Sequence, residues 1–269
     1  MKLSVFYDHV LQAHDQTGKD IPEILRFVKN QGIAALEIRL SHIQENPKVT
    51  EWIKEAGLKI SCIYEFYEMG TCEESEKVRV HLETAKDLGA PNIMIVPGFL
   101  HEGDVDILKS SMTDEDKLFS FFDTHKEVCR MADAMNRAVY LGEEMGITVL
   151  FEDFDDFSSP MSGINGVAWF LKHVPDIGFT FDCGNFIMHD EDVLLAFSRF
   201  GKRTRHVHCK DRGEGPAVAV GDGKIPIKEV VSQLLSSGYD GYFAIEHFDA
   251  DDQMGYIERS ARFLRSIAE

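Results

Sequence analysis

Eight short apolar runs, each followed by a stretch that can be helical, predict a closed (β/α)8 barrel for this chain. Two further observations support the prediction. The length, 269 residues, is close to the roughly 250 typical of one such barrel. No GxGxxG follows the first run, where an open doubly wound sheet would carry a phosphate-binding turn.

The runs are LSVFY (3–7), ALEIRL (35–40), KISCIY (59–64), NIMIVPG (92–98), ITVLFED (147–153), IGFTFDC (177–183), RHVHCKD (205–211) and GYFAIEH (241–247). Strands buried on both faces read as nearly continuous apolar segments, which is what parallel barrel strands require. The intervening segments carry helix signals. Residues 21–31 have Pro22 near their start and Gly32 after their end. Residues 74–88 stop at Gly89. Residues 115–145 space Leu118, Phe121, Phe122, Val128, Met131, Ala132, Met135 and Val139 on a helical period and end before Gly146. Residues 227–237 end at Gly238, and 253–268 close the chain. Residues 99–114 read instead as an extended loop over one barrel face. No linker, low-complexity tract or composition shift divides the chain, so one domain over 1–269 is expected.

Composition narrows the partners. The formal net charge is −18, from 46 acidic against 28 basic residues. Nucleic-acid backbones are bound through Lys and Arg, so a nucleic-acid partner is not expected. Five cysteines at 62, 72, 129, 183 and 209 include no CxxC, which suits free thiols in a reducing compartment. There is no secretory leader pattern and no run of about 18 apolar residues. A soluble, cytoplasmic enzyme-sized domain is the expectation.

Functional residues of such barrels stand at the C-terminal ends of the strands. The fifth run ends in Glu152-Asp153, the sixth in Asp182-Cys183-Gly184-Asn185, the seventh in His206-Val207-His208-Cys209-Lys210-Asp211, and the eighth in Glu246-His247. One acidic residue at a strand end is ordinarily a helix cap or an ion-pair partner. Ionisable groups at the same end of four consecutive strands point to more. Clustered, partly buried carboxylates repel one another, and one divalent cation relieves that. Three oxygen donors and one imidazole favour Mn2+ or Mg2+, while Zn2+, Co2+ and Fe2+ fit the same donors. His206 and His208 lie two apart and point to one side of their strand. One can be a ligand and the other a supporting or substrate-facing group.

The segments LFED (150–153), FDCGN (181–185), HVHCKD (206–211), GDGKIPI (221–227) and AIEHF (244–248) resemble the xylose isomerase-like TIM-barrel superfamily of sugar isomerases and epimerases, in order and spacing. The resemblance implies that Glu152, Asp182, His208 and Glu246 bind one divalent metal. It further implies that Glu152 and Glu246 act as an acid–base pair in an enediolate mechanism on a small sugar or sugar derivative. It departs at Asn185, where ketose epimerases of the family often carry His. Dimers and tetramers are common among such relatives, so a homo-oligomer is compatible, although no interface is legible.

Around that core, Asn185, Lys210, Arg212, His206, Glu65 and His101 are candidate substrate contacts. The alternative for Lys210 and Arg212 is an ion pair with Asp211 or another carboxylate. His9 and Tyr64 end up near strand ends, and His247 should face away from Glu246. Phe154 and Phe157 lie in a loop expected over the mouth. Gly221-Asp222-Gly223 is a turn too short for a nucleotide-binding loop. Three other functions use the same scaffold: an inosose dehydratase-like lyase, an endonuclease IV-like phosphodiesterase, and a non-catalytic sugar-binding barrel. The phosphodiesterase would need more His ligands and a basic face. The non-catalytic barrel would show a lost carboxylate.

Overall fold

The computed structural model describes residues 1–213 and 215–268. Eight parallel strands close into a barrel: β1 (Lys2–Phe6), β2 (Ala35–Arg39), β3 (Lys59–Phe66), β4 (Asn92–Val96), β5 (Thr148–Glu152), β6 (Gly178–Asp182), β7 (Thr204–Arg212) and β9 (Tyr242–Glu246). The order runs β6-β5-β4-β3-β2-β1-β9-β7, and a β6–β7 pairing closes the ring. The short β8 (Ala217–Val218) stands outside it, antiparallel to the end of β7.

Alternation along each strand sorts the side chains into two layers. Leu36 and Ile38 of β2, Val149 and Phe151 of β5, Phe179 and Phe181 of β6 and Phe243 and Ile245 of β9 face the helices and form the main core. Fully burying each such side chain contributes roughly 1.5–3 kcal/mol. The other set faces the barrel axis. There a small apolar cluster of Phe6, Cys62, Tyr64, Met94, Leu150 and Ala244 shares the interior with charged residues.

The helices are α1 (Tyr7–Thr17), α2 (Ile21–Asn30), α3 (Leu40–Glu45), α4 (Lys48–Glu55), α5 (Ser75–Leu88), α6 (Glu102–Ser111), α7 (Glu115–Thr124), α8 (Lys126–Met145), α9 (Gly163–His173), α10 (Val193–Phe200), α11 (Ile227–Ser236) and α12 (Gln253–Ala268). Two segments differ from the sequence reading. The expected loop at 99–114 contains α6. Val105, Leu108 and Met112 recur at helical spacing and pack on the core, and Glu102 and Asp104 favour the helix N-terminus. The expected single helix at 115–145 is two, α7 and α8. His125 takes an extended backbone and its ring caps the second helix by accepting from Val128 N–H. The five cysteines are free. No helix among the described residues is long and apolar enough to cross a membrane.

Candidate metal centre

Strand register builds the site. Asp182 of β6 lies beside His208 of β7, and Lys210 of β7 beside Glu246 of β9. His206, His208 and Lys210 alternate toward the axis, so one strand supplies three polar groups in a column. Gly184 makes room for the last of them, since a Cβ there would lie 2.7 Å from Lys210 Cγ and from its carbonyl oxygen.

His208 Nδ1 is the focus. Glu152 Oε2 lies 3.0 Å from it, Glu246 Oε2 3.2 Å and Asp182 Oδ2 3.8 Å. All four side chains are buried. Asp182 is anchored at its other oxygen by Gly184 N–H, 2.6 Å away, and its own N–H donates to Asp153 Oδ1. The Lys210 ammonium stands beside the carboxylates, 2.6 Å from Glu246 Oε1 and 3.1 Å from Asp182 Oδ2. It also donates to Asn185 Oδ1 at 2.8 Å.

The carboxyl groups differ in their protonation. Burial, with Glu246 and Asp182 close by, pushes the Glu152 carboxyl up to about 7 against the pull of His208. Burial also opposes charge on Glu246, but Lys210 and His208 outweigh it and hold that carboxyl below its ordinary range. For Lys210, burial is outweighed by Asp182 and Glu246, which keep the ammonium charged.

These residues fit a divalent cation. The donor atoms of Glu152, Asp182 and His208 lie within 4.8 Å of one another. Two carboxylates that close repel by at least about 3 kcal/mol at an effective dielectric constant near 20. Asp182 Oδ2 and Glu246 Oε2 are buried and, apart from the ion-pair contacts above, have no well-aligned hydrogen-bond donor. Both face the ring nitrogen that completes the set.

A cavity of about 410 Å³ opens directly onto the cluster. Glu152, Asn185, His208, Lys210 and Glu246 form its polar floor, and Asp8, Arg39 and Asp155 its polar rim. Its walls are aromatic: Phe6, Tyr64, Phe66, Phe154 and Phe248, with Met94. Phe6 also packs edge-on against the His208 ring, with centroids 5.0 Å apart.

The sequence-derived candidates separate accordingly. Glu152, Asp182, His208, Glu246, Lys210 and Asn185 come together. Arg212 reaches the rim indirectly, through a 2.8 Å contact with Asp155 rather than Asp211. Three further candidates stand outside the cavity lining. His206 lies below the cavity and bonds to Glu37. Glu65 is tied to Arg39 and to the N–H groups of Ser41 and Phe66. His101 is exposed, pairs with Glu127 and lines a neighbouring cavity. His9 and His247 stack on each other and stay buried outside the lining, while Tyr64 lines it and donates to Asp8.

Sequence reasoning missed Glu37. Its carboxylate contacts both His206 and His208 from β2, at 2.7 and 3.2 Å. Burial works against its charge, but the His208 and His206 rings outweigh this and hold its carboxyl down at about 2. A charged residue inside the apolar run ALEIRL was the available signal.

The chain is thus a (β/α)8 barrel with a carboxylate–imidazole cluster at the C-terminal ends of its strands. It belongs to the family described as the xylose isomerase-like TIM barrel, which matches residues 25–267. Its curated relatives include fructoselysine 3-epimerase of Escherichia coli O157:H7, 24% identical over 123 residues, 44% of each chain. Inosose dehydratase of Lacticaseibacillus casei is 23% identical over 195 residues, 65% of this chain and 63% of that protein. The matched stretches therefore span less than two thirds of those relatives. Among solved structures, a probable 3-DHS dehydratase of Bacillus anthracis superposes with a TM-score of 0.76 at 14% identity, covering 98% of this chain and 99% of that one. D-psicose 3-epimerase of Clostridium cellulolyticum H10 gives 0.74 at 14% identity over the whole of both chains. IOLI protein, with a bound zinc atom, gives 0.73 at 15% identity over 100% of this chain and 96% of that one.

Proposed function

We propose that this chain is a divalent-metal-dependent isomerase or epimerase of a small sugar or sugar derivative. The observation that carries the reading is the convergence of Glu152 and Glu246 on His208 Nδ1, at 3.0 and 3.2 Å, from strands that flank β6 and β7. Two carboxylates facing one cavity from separate strands can serve two faces of one substrate carbon.

Glu152, Asp182, His208 and Glu246 would hold the cation. Mn2+ and Mg2+ suit this donor set, and the zinc-bearing structural neighbour adds Zn2+. When bound, the cation supplies Lewis-acid polarisation of the substrate carbonyl, a contribution of several kcal/mol. The remaining chemistry belongs to the side chains. One glutamate removes the proton from the carbon beside the carbonyl, giving an enediolate. The other returns a proton from the opposite face, which inverts the centre; return to the adjacent carbon gives isomerisation instead. Glu152 and Glu246 come from separate strands, so each can take one side of this proton transfer. Lys210 and Asn185 can hold substrate hydroxyls, and the aromatic walls can pack on the apolar face of a sugar and exclude water.

A second reading, a dehydratase, is favoured by one observation. Lys210 keeps a buried ammonium in contact with Glu246 at the cavity floor. From there it can donate a proton to a departing β-hydroxyl. The inosose dehydratase match extends over more of the chain than the epimerase match.

The test is metal analysis of the purified protein, followed by a screen in deuterated water over ketoses, inososes and hydroxypyruvate. Deuterium at the carbon beside the carbonyl, with all oxygens retained, supports the isomerase or epimerase. Loss of water supports the dehydratase. No bound metal and no exchange with any substrate overturns both.

A further inference from the structure

We propose that Glu37 is a positioning residue that fixes the His208 tautomer and so directs Nδ1 at the cation. The inference rests on the metal-site reading above.

Glu37 is fully buried on β2, beneath the cavity and outside its lining. Its Oε2 lies 2.7 Å from His206 Nε2, and both its oxygens lie 3.2 Å from His208 Nε2. An ionised carboxylate only accepts hydrogen bonds. Both imidazole nitrogens facing it must therefore carry hydrogen. An imidazole that ligates a metal is neutral and has one such hydrogen. Once it is spent on Nε2 of His208, Nδ1 is left with a lone pair. That nitrogen points into Glu152, Glu246 and Asp182. A lone pair set among three carboxylates is aimed where a shared cation would sit.

His206 completes the device. It gives its Nε2 hydrogen to Glu37, and its Nδ1 has no partner. Its place is to hold Glu37 in line. Glu37, His206 and His208 also lie close enough to serve as a separate metal cluster. Two features favour the hydrogen-bonded arrangement. The cavity that reaches His208 is lined by neither Glu37 nor His206. The His206–Glu37 separation is that of a direct charge-assisted hydrogen bond.

Glu37→Gln replaces one acceptor oxygen with an amide donor. One acceptor then remains for the two imidazole N–H groups, so the Nε2–H tautomer of His208 loses its support and the Nδ1–H form, which competes with the cation, gains. Carboxylates that orient a ligating histidine are worth about 10–100-fold in metal affinity.

The experiment is zinc titration against a chromophoric chelator for wild type and Glu37→Gln, buffered roughly two units above the ordinary imidazole pKa. Circular dichroism of both proteins checks folding. The expected result is a folded variant that binds zinc about 10–100-fold more weakly. Equal affinity in a folded variant overturns the role of Glu37 alone. Failure of the wild type to bind zinc overturns the metal reading and this inference with it. Should the variant not fold, the zinc-loaded wild type labelled with nitrogen-15 histidine decides. Zinc on Nδ1 and hydrogen on Nε2 of His208 is the expected spectrum, and zinc on Nε2 overturns the proposal.

Discussion

Lys210 Nζ lies 2.6 Å from Glu246 Oε1, an ion pair between neighbouring strands in which both side chains are almost wholly buried. A second contact, at 3.1 Å, joins the same ammonium to Asp182. Removing one partner of a buried pair leaves uncompensated charge and costs about 3–5 kcal/mol. Lys210→Met should therefore lower the melting temperature in chelator-treated protein. Added Mn2+ or Zn2+ should raise it more in the variant than in wild type, because a cation then compensates charge that Lys210 no longer meets. Thermal denaturation with and without metal checks this, and equal metal-induced shifts would refute it.

Glu152→Gln and Glu246→Gln should each lower kcat by about 10²–10⁴-fold, the usual weight of one positioned acid or base. Far-UV circular dichroism should be unchanged. If the pair divides the work, one variant retains solvent exchange at the substrate carbon without forming product. Full turnover in both variants would end the acid–base assignment.

His81 provides a pH dependence remote from the cluster. Its Nε2–H donates to Ile63 O at 3.1 Å, and Tyr67 O–H donates to Nδ1 at 3.0 Å. Burial keeps the ring neutral and lowers its pKa to about 4. The unfolded chain takes up this proton near 6.5, so below that pH the unfolded state binds more protons. Its contribution is fully present above about 6.5 and is lost progressively as the pH falls to about 4, by about 3 kcal/mol. Urea denaturation at several pH values should show this loss, and His81→Gln should reduce its slope.

Asp211 organises the turn after β7. Its carboxylate accepts from Arg212, Gly221, Gly223 and Ile225 N–H, at 2.8–3.2 Å. A Cβ at Gly223 would collide with Asp211 Oδ1. Asp211→Ala should cost about 2–4 kcal/mol through the donors it strands, measured by the urea midpoint. Gly223→Ala should destabilise in the same direction. A neutral Asp211→Ala would contradict the role.

Much of the site was legible because strand-end chemistry is local. The segments around Glu152, Asp182, His208 and Glu246 each place an ionisable group after an apolar run, and the period of two puts His206, His208 and Lys210 on one face. His101 and Glu65 show the limit of that locality. Position in a loop or at a strand end does not say what a side chain turns toward, and Glu65 turned to Arg39 and to backbone N–H groups. The helix at Glu102–Ser111 was hidden because its polar residues outnumber the few apolar ones that pack.

The sequence by itself determined the barrel, because buried parallel strands and their covering helices have periods and punctuation that any one segment displays. It also determined which residue types crowd one end of that barrel. Only the tertiary structure decided how they are joined. Ring closure between β6 and β7 and the β7–β9 register set Asp182 beside His208 and Lys210 beside Glu246. The interior then brought Glu37 under His208 across 171 residues of chain. Contacts at that separation are set by strand order and register, and no local pattern encodes them.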